Sequence, residues 1–207
     1  NMSSLIGIFE RDIVYLKQNL IPLTSSGVEI KALDYQPTEF EHLSDKDVQV
    51  LCEALVSNLK FRGPLNLSSH GLSNLSALYL SKVFAKQCGE NNISELNLNW
   101  NQLTSKAGQF IGEALYSNPE YNVTKITFEN TVLEEEGLMR MMEATSKNQN
   151  IKHLHVGIVS DAGLMIMAKE LKNNLSLHVL EFQESAEKTW TIEPKKEFAK
   201  TLKDFTQ

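Results

Sequence analysis

The chain has 207 residues, a hydrophobic content of 42% and a formal net charge of −6. These values allow a substantial core in one or at most two domains, and the scattered Lys and Arg residues argue against a nucleic-acid or acidic-lipid partner. No stretch approaches 18 uninterrupted apolar residues and no secretion signal is present, so we expect a cytoplasmic protein without a membrane partner. Cys52 and Cys88 fall in predicted helices, which favours buried, reduced thiols.

The first segment has apolar residues at helical spacing over residues 3–20. They are Leu5, Ile6, Phe9, Ile13, Leu16 and Leu20. Pro22 and the Thr-Ser-Ser-Gly run at 24–27 end this pattern, because proline cannot donate to the helix and small polar residues favour turns. We predict that residues 1–27 form an N-terminal capping helix and linker, and that residues 28–207 form one structural unit.

A repeated helical segment fills most of the remaining chain. The apolar residues that open each copy are Leu43, Leu72, Leu103, Leu133, Val159 and Trp190. An apolar side chain stands eight positions after each of them, and twelve positions after each stands another apolar residue or, in the fourth copy, Thr145, as one buried helix face requires. The repeat phase therefore predicts that Trp190 is a core residue, like the residues that open the other copies.

Two further features recur within the helical segments. Fifteen positions after the opening residue stand Asn58, Asn118, Asn148 and Asn174. Because asparagine tolerates the left-handed conformation, we predict that these residues close the helices in that conformation. Glycines at 108, 137 and 163 mark the starts of three helices, where small residues allow close packing on the next repeat.

Each helical segment is preceded by a short segment in which apolar and other residues alternate. The six triplets are Leu33-Asp34-Tyr35, Leu65-Asn66-Leu67, Leu96-Asn97-Leu98, Ile126-Thr127-Phe128, Leu154-His155-Val156 and Leu180-Glu181-Phe182. Alternation at period two predicts a strand whose outer residues face the core and whose middle residue faces the opposite side. Since each strand recurs only after a helix, the strands are predicted to form a parallel sheet.

The unit LxxLxLxxNxL followed by a helix, in a repeat of about 28 residues, resembles the leucine-rich-repeat family and its long-repeat, ribonuclease-inhibitor-like class. The resemblance covers residues 28 to 205 and is clearest over 93–118, where Asn101 occupies the strand-exit position. His70 and Thr131 replace that asparagine elsewhere, so the buried asparagine ladder of the family is largely missing. The resemblance implies an α/β solenoid of about six repeats, a short horseshoe with the sheet on its concave side and helices on its convex side.

Catalytic chemistry is not indicated by any motif in the chain. No G-x-S-x-G, phosphate-binding loop or H-E-x-x-H occurs, and neither cysteine lies beside a histidine in a known arrangement. His153 and His155 share one face of a strand and, with a carboxylate, could hold zinc, but solvent-facing strand positions must be polar in any case. We therefore expect a non-enzyme with no cofactor and no metal.

The polar residues of the predicted concave face are the best candidates for binding a partner. The selected residues are Asn66, Asn97, Asn99, Trp100, Thr127, Glu129, His153, His155 and Glu181. Trp100 follows a strand and offers a large contact area at low entropic cost. The alternative is that Trp100 packs over its own loop.

The resemblance implies a non-catalytic protein-interaction module, since solenoids present extended surfaces. We expect a monomer that binds an unidentified protein partner through the concave face and adjoining loops. One alternative is a regulator of a small GTPase or nuclease, although the relatives with those roles are longer. Another is a cytoskeleton-associated repeat domain, similar in size to that of tropomodulin, or a bacterial effector delivered to a host cytoplasm.

Overall fold

The computed structural model describes residues 33–35, 37, 42–57, 61–86 and 92–205. The predicted N-terminal capping helix and linker, Asn58 and Cys88 lie outside these ranges.

Strands and helices alternate along the described part of the chain, as the sequence predicts. In order they are β1 (Leu33–Asp34), α1 (Asp45–Ser57), β2 (Arg62–Asn66), α2 (Asn74–Ala85), β3 (Asn92–Asn97), α3 (Ser105–Ser117), β4 (Lys125–Thr127), α4 (Glu134–Lys147), β5 (His153–Val159), α5 (Asp161–Leu171), β6 (Val179–Glu184) and α6 (Ile192–Phe205).

The six described strands form one parallel sheet in the order β1-β2-β3-β4-β5-β6. Leu96 of β3 is in register with Leu65 on one side and with Ile126 on the other, and the register continues through Leu154 to Leu180. The predicted triplets are therefore aligned across the sheet. This arrangement, with the helices stacked on the convex side, confirms the predicted leucine-rich-repeat solenoid.

The core lies between the sheet and the helices and runs through successive repeats. In the central repeat, Leu96 and Leu98 of the strand segment and Ile111 and Leu115 of α3 are almost fully buried. Removing such a large apolar side chain from water stabilises a fold by about 1.5–3 kcal/mol. The alternating residues of β3 and the helically spaced residues of α3 thus serve the same core.

The last repeat is more open than the sequence predicts. Trp190 is only half-buried and packs against the edge of the core, where its ring lies 5.6 Å from that of Phe182. Its indole Nε1 donates a hydrogen bond to the carbonyl oxygen of Val159 at 2.7 Å. Trp190 is therefore less buried than the repeat phase predicts, because no further repeat of the described chain covers this end of the core.

Glycine allows the backbones of α3 and α4 to approach closely, as predicted. A Cβ atom added to Gly108 would lie 2.6 Å from the carbonyl oxygen of Gly137. A Cβ atom added to Gly137 would in turn clash with the carbonyl oxygen of Ser105. Both contacts are with backbone, which cannot rotate away as a side chain could.

The asparagines that follow the helices do not adopt the predicted left-handed conformation. The φ angle is −125° at Asn118 and −85° at Asn148. Their side chains instead donate hydrogen bonds across the repeat boundary, from Asn118 Nδ2 to the Phe84 carbonyl at 2.8 Å and from Asn148 Nδ2 to the Tyr121 carbonyl at 2.9 Å. The prediction is wrong because buried backbone groups between repeats require partners, and the amide side chain supplies them.

Asn174 makes the same kind of cross-repeat bond. Its Nδ2 donates to Thr145 Oγ1 at 2.9 Å, and its Oδ1 accepts from the backbone N–H groups of Ser176 and Leu177. Its φ angle is also not positive. The recurring asparagine is therefore a link between repeats rather than a backbone requirement.

We expect Asn148→Gly and Asn148→Ala each to lower the free energy of unfolding by about 2 kcal/mol, because both variants leave a buried carbonyl and N–H group without the side-chain partner. Urea denaturation measures this change. A glycine variant as stable as the parent would instead indicate a left-handed helix end, where glycine is favoured.

A second set of side-chain hydrogen bonds, the asparagine ladder, links the loops that follow the strands in neighbouring repeats. In one repeat a histidine makes these bonds in place of an asparagine. Asn101 Nδ2 donates to the carbonyl of Leu67, and Asn101 Oδ1 accepts from the N–H of Leu72. His70 makes the equivalent bonds one repeat earlier: Nε2 donates to the Tyr35 carbonyl at 2.7 Å and Nδ1 accepts from the Leu43 N–H at 2.9 Å. The ladder thus continues through a position where the sequence suggested that it was interrupted.

Thr131 occupies the same position in the next repeat, but its side chain does not make the equivalent hydrogen bonds. Its Oγ1 is buried and has no hydrogen-bond partner among the described residues. We expect Thr131→Val to raise the free energy of unfolding by about 1 kcal/mol, because the variant removes a buried unsatisfied hydroxyl at nearly constant volume.

Thr145→Val is the matched control, since the Thr145 hydroxyl donates to the Met142 carbonyl and accepts from Asn174. This variant is expected to lose about 1–2 kcal/mol. Equal losses in the two variants, measured by thermal and urea denaturation, would contradict the assignment of an unsatisfied hydroxyl to Thr131.

Candidate functional site

A polar groove extends along the concave face of the sheet, from β1 to β6. Seven of the nine residues selected from the sequence line it. They are Asn66, Asn97, Asn99, Thr127, Glu129, His155 and Glu181. The strand alternation that buries the leucines directs these side chains to the opposite side of the sheet.

Side-chain hydrogen bonds hold the central part of the groove. Asn97 Oδ1 accepts from the backbone N–H of Asn99 at 3.0 Å. Asn99 Oδ1 accepts from the Glu129 N–H at 2.8 Å, and its Nδ2 donates to Glu129 Oε2 at 3.2 Å. These amides are therefore fixed in direction before any partner binds, which reduces the entropy lost on binding.

The two histidines of β5 have different partners. His153 Nε2 lies 2.5 Å from Glu181 Oε2, and this hydrogen bond lowers the pKa of Glu181. His155 Nδ1 accepts from the backbone N–H of Gly157 at 3.1 Å, which leaves its Nε2 as the donor in the neutral ring. Burial is the main cause that lowers the pKa of His155, although Glu181 and Glu129 oppose it.

The zinc alternative is not supported by this geometry. Within the ranges that the structure describes, no three His, Cys, Asp or Glu side chains are grouped so as to hold a metal ion. Cys52 is a buried free thiol whose pKa is raised by burial, so it lacks the thiolate character of a nucleophile.

Two charged residues of the groove were not among those selected from the sequence. Glu95 and Lys125 are paired across β3 and β4, and Lys125 is in turn opposite His153. The Glu95 carboxylate makes no hydrogen bond or ion pair with any other described residue. The regular register of the strand triplets could have identified both positions, because they precede the middle strand residues by two.

The groove is acidic at neutral pH. Its lining includes the carboxylates of Asp34, Glu95, Glu129 and Glu181 against the single ammonium group of Lys125. Lowering of the His155 pKa keeps that ring neutral, so it does not offset this charge. A partner with basic side chains fits this surface.

Trp100 lies outside the groove, in the turn that follows β3. Its side chain is 56% exposed, and its φ angle is +59°. The backbone N–H of Trp100 donates to the Glu129 carbonyl in the next repeat at 2.9 Å. The structure therefore leaves more than half of this side chain exposed beside the sheet.

No model of a known protein family matches the chain. The chain is 27% identical over 143 residues to the human protein "NACHT, LRR and PYD domains-containing protein 13", and the match covers 68% of the chain but only 13% of that protein. The chain thus spans a small part of this relative. The fold is that of a leucine-rich repeat.

Solved structures of other proteins share this fold, and two of them match most of the chain. The C-terminal domain of tropomodulin from Caenorhabditis elegans has a TM-score of 0.61 and 16% identity, and the match covers 77% of this chain and 92% of that domain. The structure of "Leiomodin-1 Actin-Binding Site 2" has a TM-score of 0.55 and 16% identity, with 92% of this chain and 89% of that chain covered.

Among the described residues, none of the helices combines the length and the apolar character that a membrane-spanning segment needs.

Proposed function

We propose that this leucine-rich-repeat chain is a non-catalytic protein-interaction module of the long-repeat, ribonuclease-inhibitor-like class. It acts in a cytoplasm as a monomeric scaffold and binds a segment of a partner protein along the concave groove. The observation that carries this proposal is the continuous polar groove, in which fixed amide groups of Asn97 and Asn99 alternate with carboxylates.

The chemistry of the groove favours a basic, extended segment as the ligand. The Glu95 carboxylate makes no hydrogen bond or ion pair with another described residue. The Glu181 side chain is half-exposed and lies beside His153. His155 Nε2 supplies a hydrogen-bond donor for a peptide carbonyl. Complementary charge accelerates association and makes the affinity depend on salt concentration.

A groove variant tests the proposal. We expect the triple variant Glu95→Gln, His155→Ala and Glu181→Ala to keep the fold and to lose the proteins that the parent recovers in a pull-down. Tyr116→Ala and Met165→Ala, on exposed positions of the convex helices, are the matched controls and are expected to recover the same proteins. Unchanged recovery by a folded triple variant would refute the groove as the binding site.

A cytoskeletal role is the second candidate, favoured by the two structural similarities. The leiomodin structure is that of an actin-binding site, and that chain matches most of the present one. Fluorescence anisotropy with labelled monomeric actin tests this role. Binding that the groove variant abolishes would support it, whereas absence of binding to both monomeric and filamentous actin would exclude it.

A further inference from the structure

The loops that lead from β3 and β4 to the following helices, together with the first residue of α4, carry a second surface, which does not line the concave groove. Its residues are Trp100, Val132 and Glu134, and we call it the exit patch. Each of the three differs in chemistry from the residues at the same position in neighbouring repeats. The repeats thus provide an internal comparison between what the fold needs and what these residues add.

The fold does not require a tryptophan at position 100. Ser69 and Asn130, at the equivalent positions, have φ angles of +63° and +57°, close to the +59° of Trp100. Asparagine accepts this left-handed conformation readily, whereas a bulky residue there is strained. The tryptophan therefore combines an unfavourable backbone conformation with a side chain that is more than half exposed.

Val132 is similarly unusual for its position. The equivalent residues are Gly71 and Gln102, whereas the Val132 side chain is apolar and 47% exposed. An isolated antiparallel bridge to Gly157 fixes the Val132 backbone. An apolar side chain is thus held at a defined place on the loop beside the one that carries Trp100.

Glu134 interrupts a series of hydroxyl-bearing residues that link the start of each helix to the start of the preceding helix. The equivalent residues Ser73, Thr104, Ser160 and Thr191 each have a hydroxyl group that is hydrogen-bonded to a side chain at the start of the preceding helix. Glu134 has a φ angle of +54°, is exposed, and its carboxylate has no hydrogen-bond or ion-pair partner among the described residues. Its charge is therefore available to a ligand.

We propose that the exit patch binds a protein segment in which an apolar side chain adjoins Lys or Arg. Trp100 and Val132 contact the apolar side chain, and Glu134 pairs with the cation, which can also lie over the indole ring. The patch is separate from the groove, so one partner can occupy both or two partners can bind together.

The neighbouring repeats supply substitutions that preserve the fold. Trp100→Asn copies Asn130, Val132→Gln copies Gln102, and Glu134→Ser copies Ser73. We expect the combined variant to have a melting temperature equal to or above that of the parent, because it restores a residue suited to the left-handed turn and a helix cap. A lower melting temperature would show that the three residues serve the fold and would overturn the proposal.

Binding is measured by fluorescence anisotropy with a labelled 12-residue peptide that has one leucine pair flanked by lysines. We expect this peptide to bind the parent, to bind the combined exit-patch variant at least about tenfold more weakly, and to lose affinity when glutamates replace its lysines. Because the acidic groove also attracts a basic peptide, the exit-patch substitutions are repeated in the groove variant described above, where they are expected to cause the same loss of at least about tenfold. Absence of binding to the parent, or a loss confined to the groove variant, would overturn the proposal without affecting the groove assignment.

Discussion

Replacing Gly108 by alanine is expected to lower the free energy of unfolding by about 1–3 kcal/mol. The new Cβ atom would lie 2.6 Å from the Gly137 carbonyl oxygen, so α3 and α4 must separate. Alanine is the better helix former by about 0.5–1 kcal/mol. That gain is smaller than the packing cost, because the obstructing atoms are backbone.

Urea denaturation of Gly108→Ala beside Lys106→Ala separates the two effects. Lys106 is exposed in the same helix, so its substitution should change stability by less than about 0.5 kcal/mol. A Gly108 variant at least as stable as the parent would show that the helices can separate without cost. Because each repeat packs only on its neighbours, the damage should spread from the boundary between α3 and α4.

Replacing His70 by alanine is expected to cost about 2–4 kcal/mol, since it removes a buried ring together with its hydrogen bonds to the Leu43 N–H and the Tyr35 carbonyl. His70→Asn is the rescue variant, because Asn101 makes the corresponding bonds in the next repeat. The asparagine variant should lie within about 1 kcal/mol of the parent at pH 7.5, as expected for one restored hydrogen-bond pair. Equal losses in both variants would contradict the assignment of His70 to the ladder.

The buried His70 side chain also predicts that the free energy of unfolding depends on pH. Burial lowers the pKa of His70 below its ordinary value of about 6.5, although the Tyr35 carbonyl and Asp47 oppose the shift and His42 reinforces it. Above that value both the folded and the unfolded chain are neutral at this group, so its full contribution to stability is present. As the pH falls below it, the unfolded chain binds the proton first and stability decreases. Denaturation midpoints at pH 7.5 and 5.5 should therefore differ less for His70→Asn than for the parent.

Repeat phase was sufficient to predict the parallel sheet, the alternating helices and the close packing at Gly108. These features follow from local spacing, which is visible in one chain. The role of Asn148 was predicted wrongly, because an asparagine after a helix is compatible with either a left-handed turn or a hydrogen bond to a distant repeat. Sequence spacing does not distinguish a backbone conformation from a side-chain contact made 27 residues away.

The strand residues of the groove were easier to identify from the sequence than the residues of the adjoining loops. Alternation along the strands identified Asn97, Thr127 and Glu129 as residues of one face, because that pattern fixes side-chain direction. Trp100 was assigned to the same surface, but it follows the strand end, where a left-handed turn changes the direction of the chain. Loop conformation depends on hydrogen bonds to the adjacent repeat, which the strand pattern does not contain.

The central claim is that a partner protein lies along the concave groove. Photo-crosslinking tests it most directly, with a benzoylphenylalanine residue at Glu95 in the groove or at Tyr116 on the convex side, in cells of the source organism. The proposed function predicts a discrete protein adduct from position 95 that is absent from position 116. An adduct from position 116 alone, with both variants folded, would contradict it.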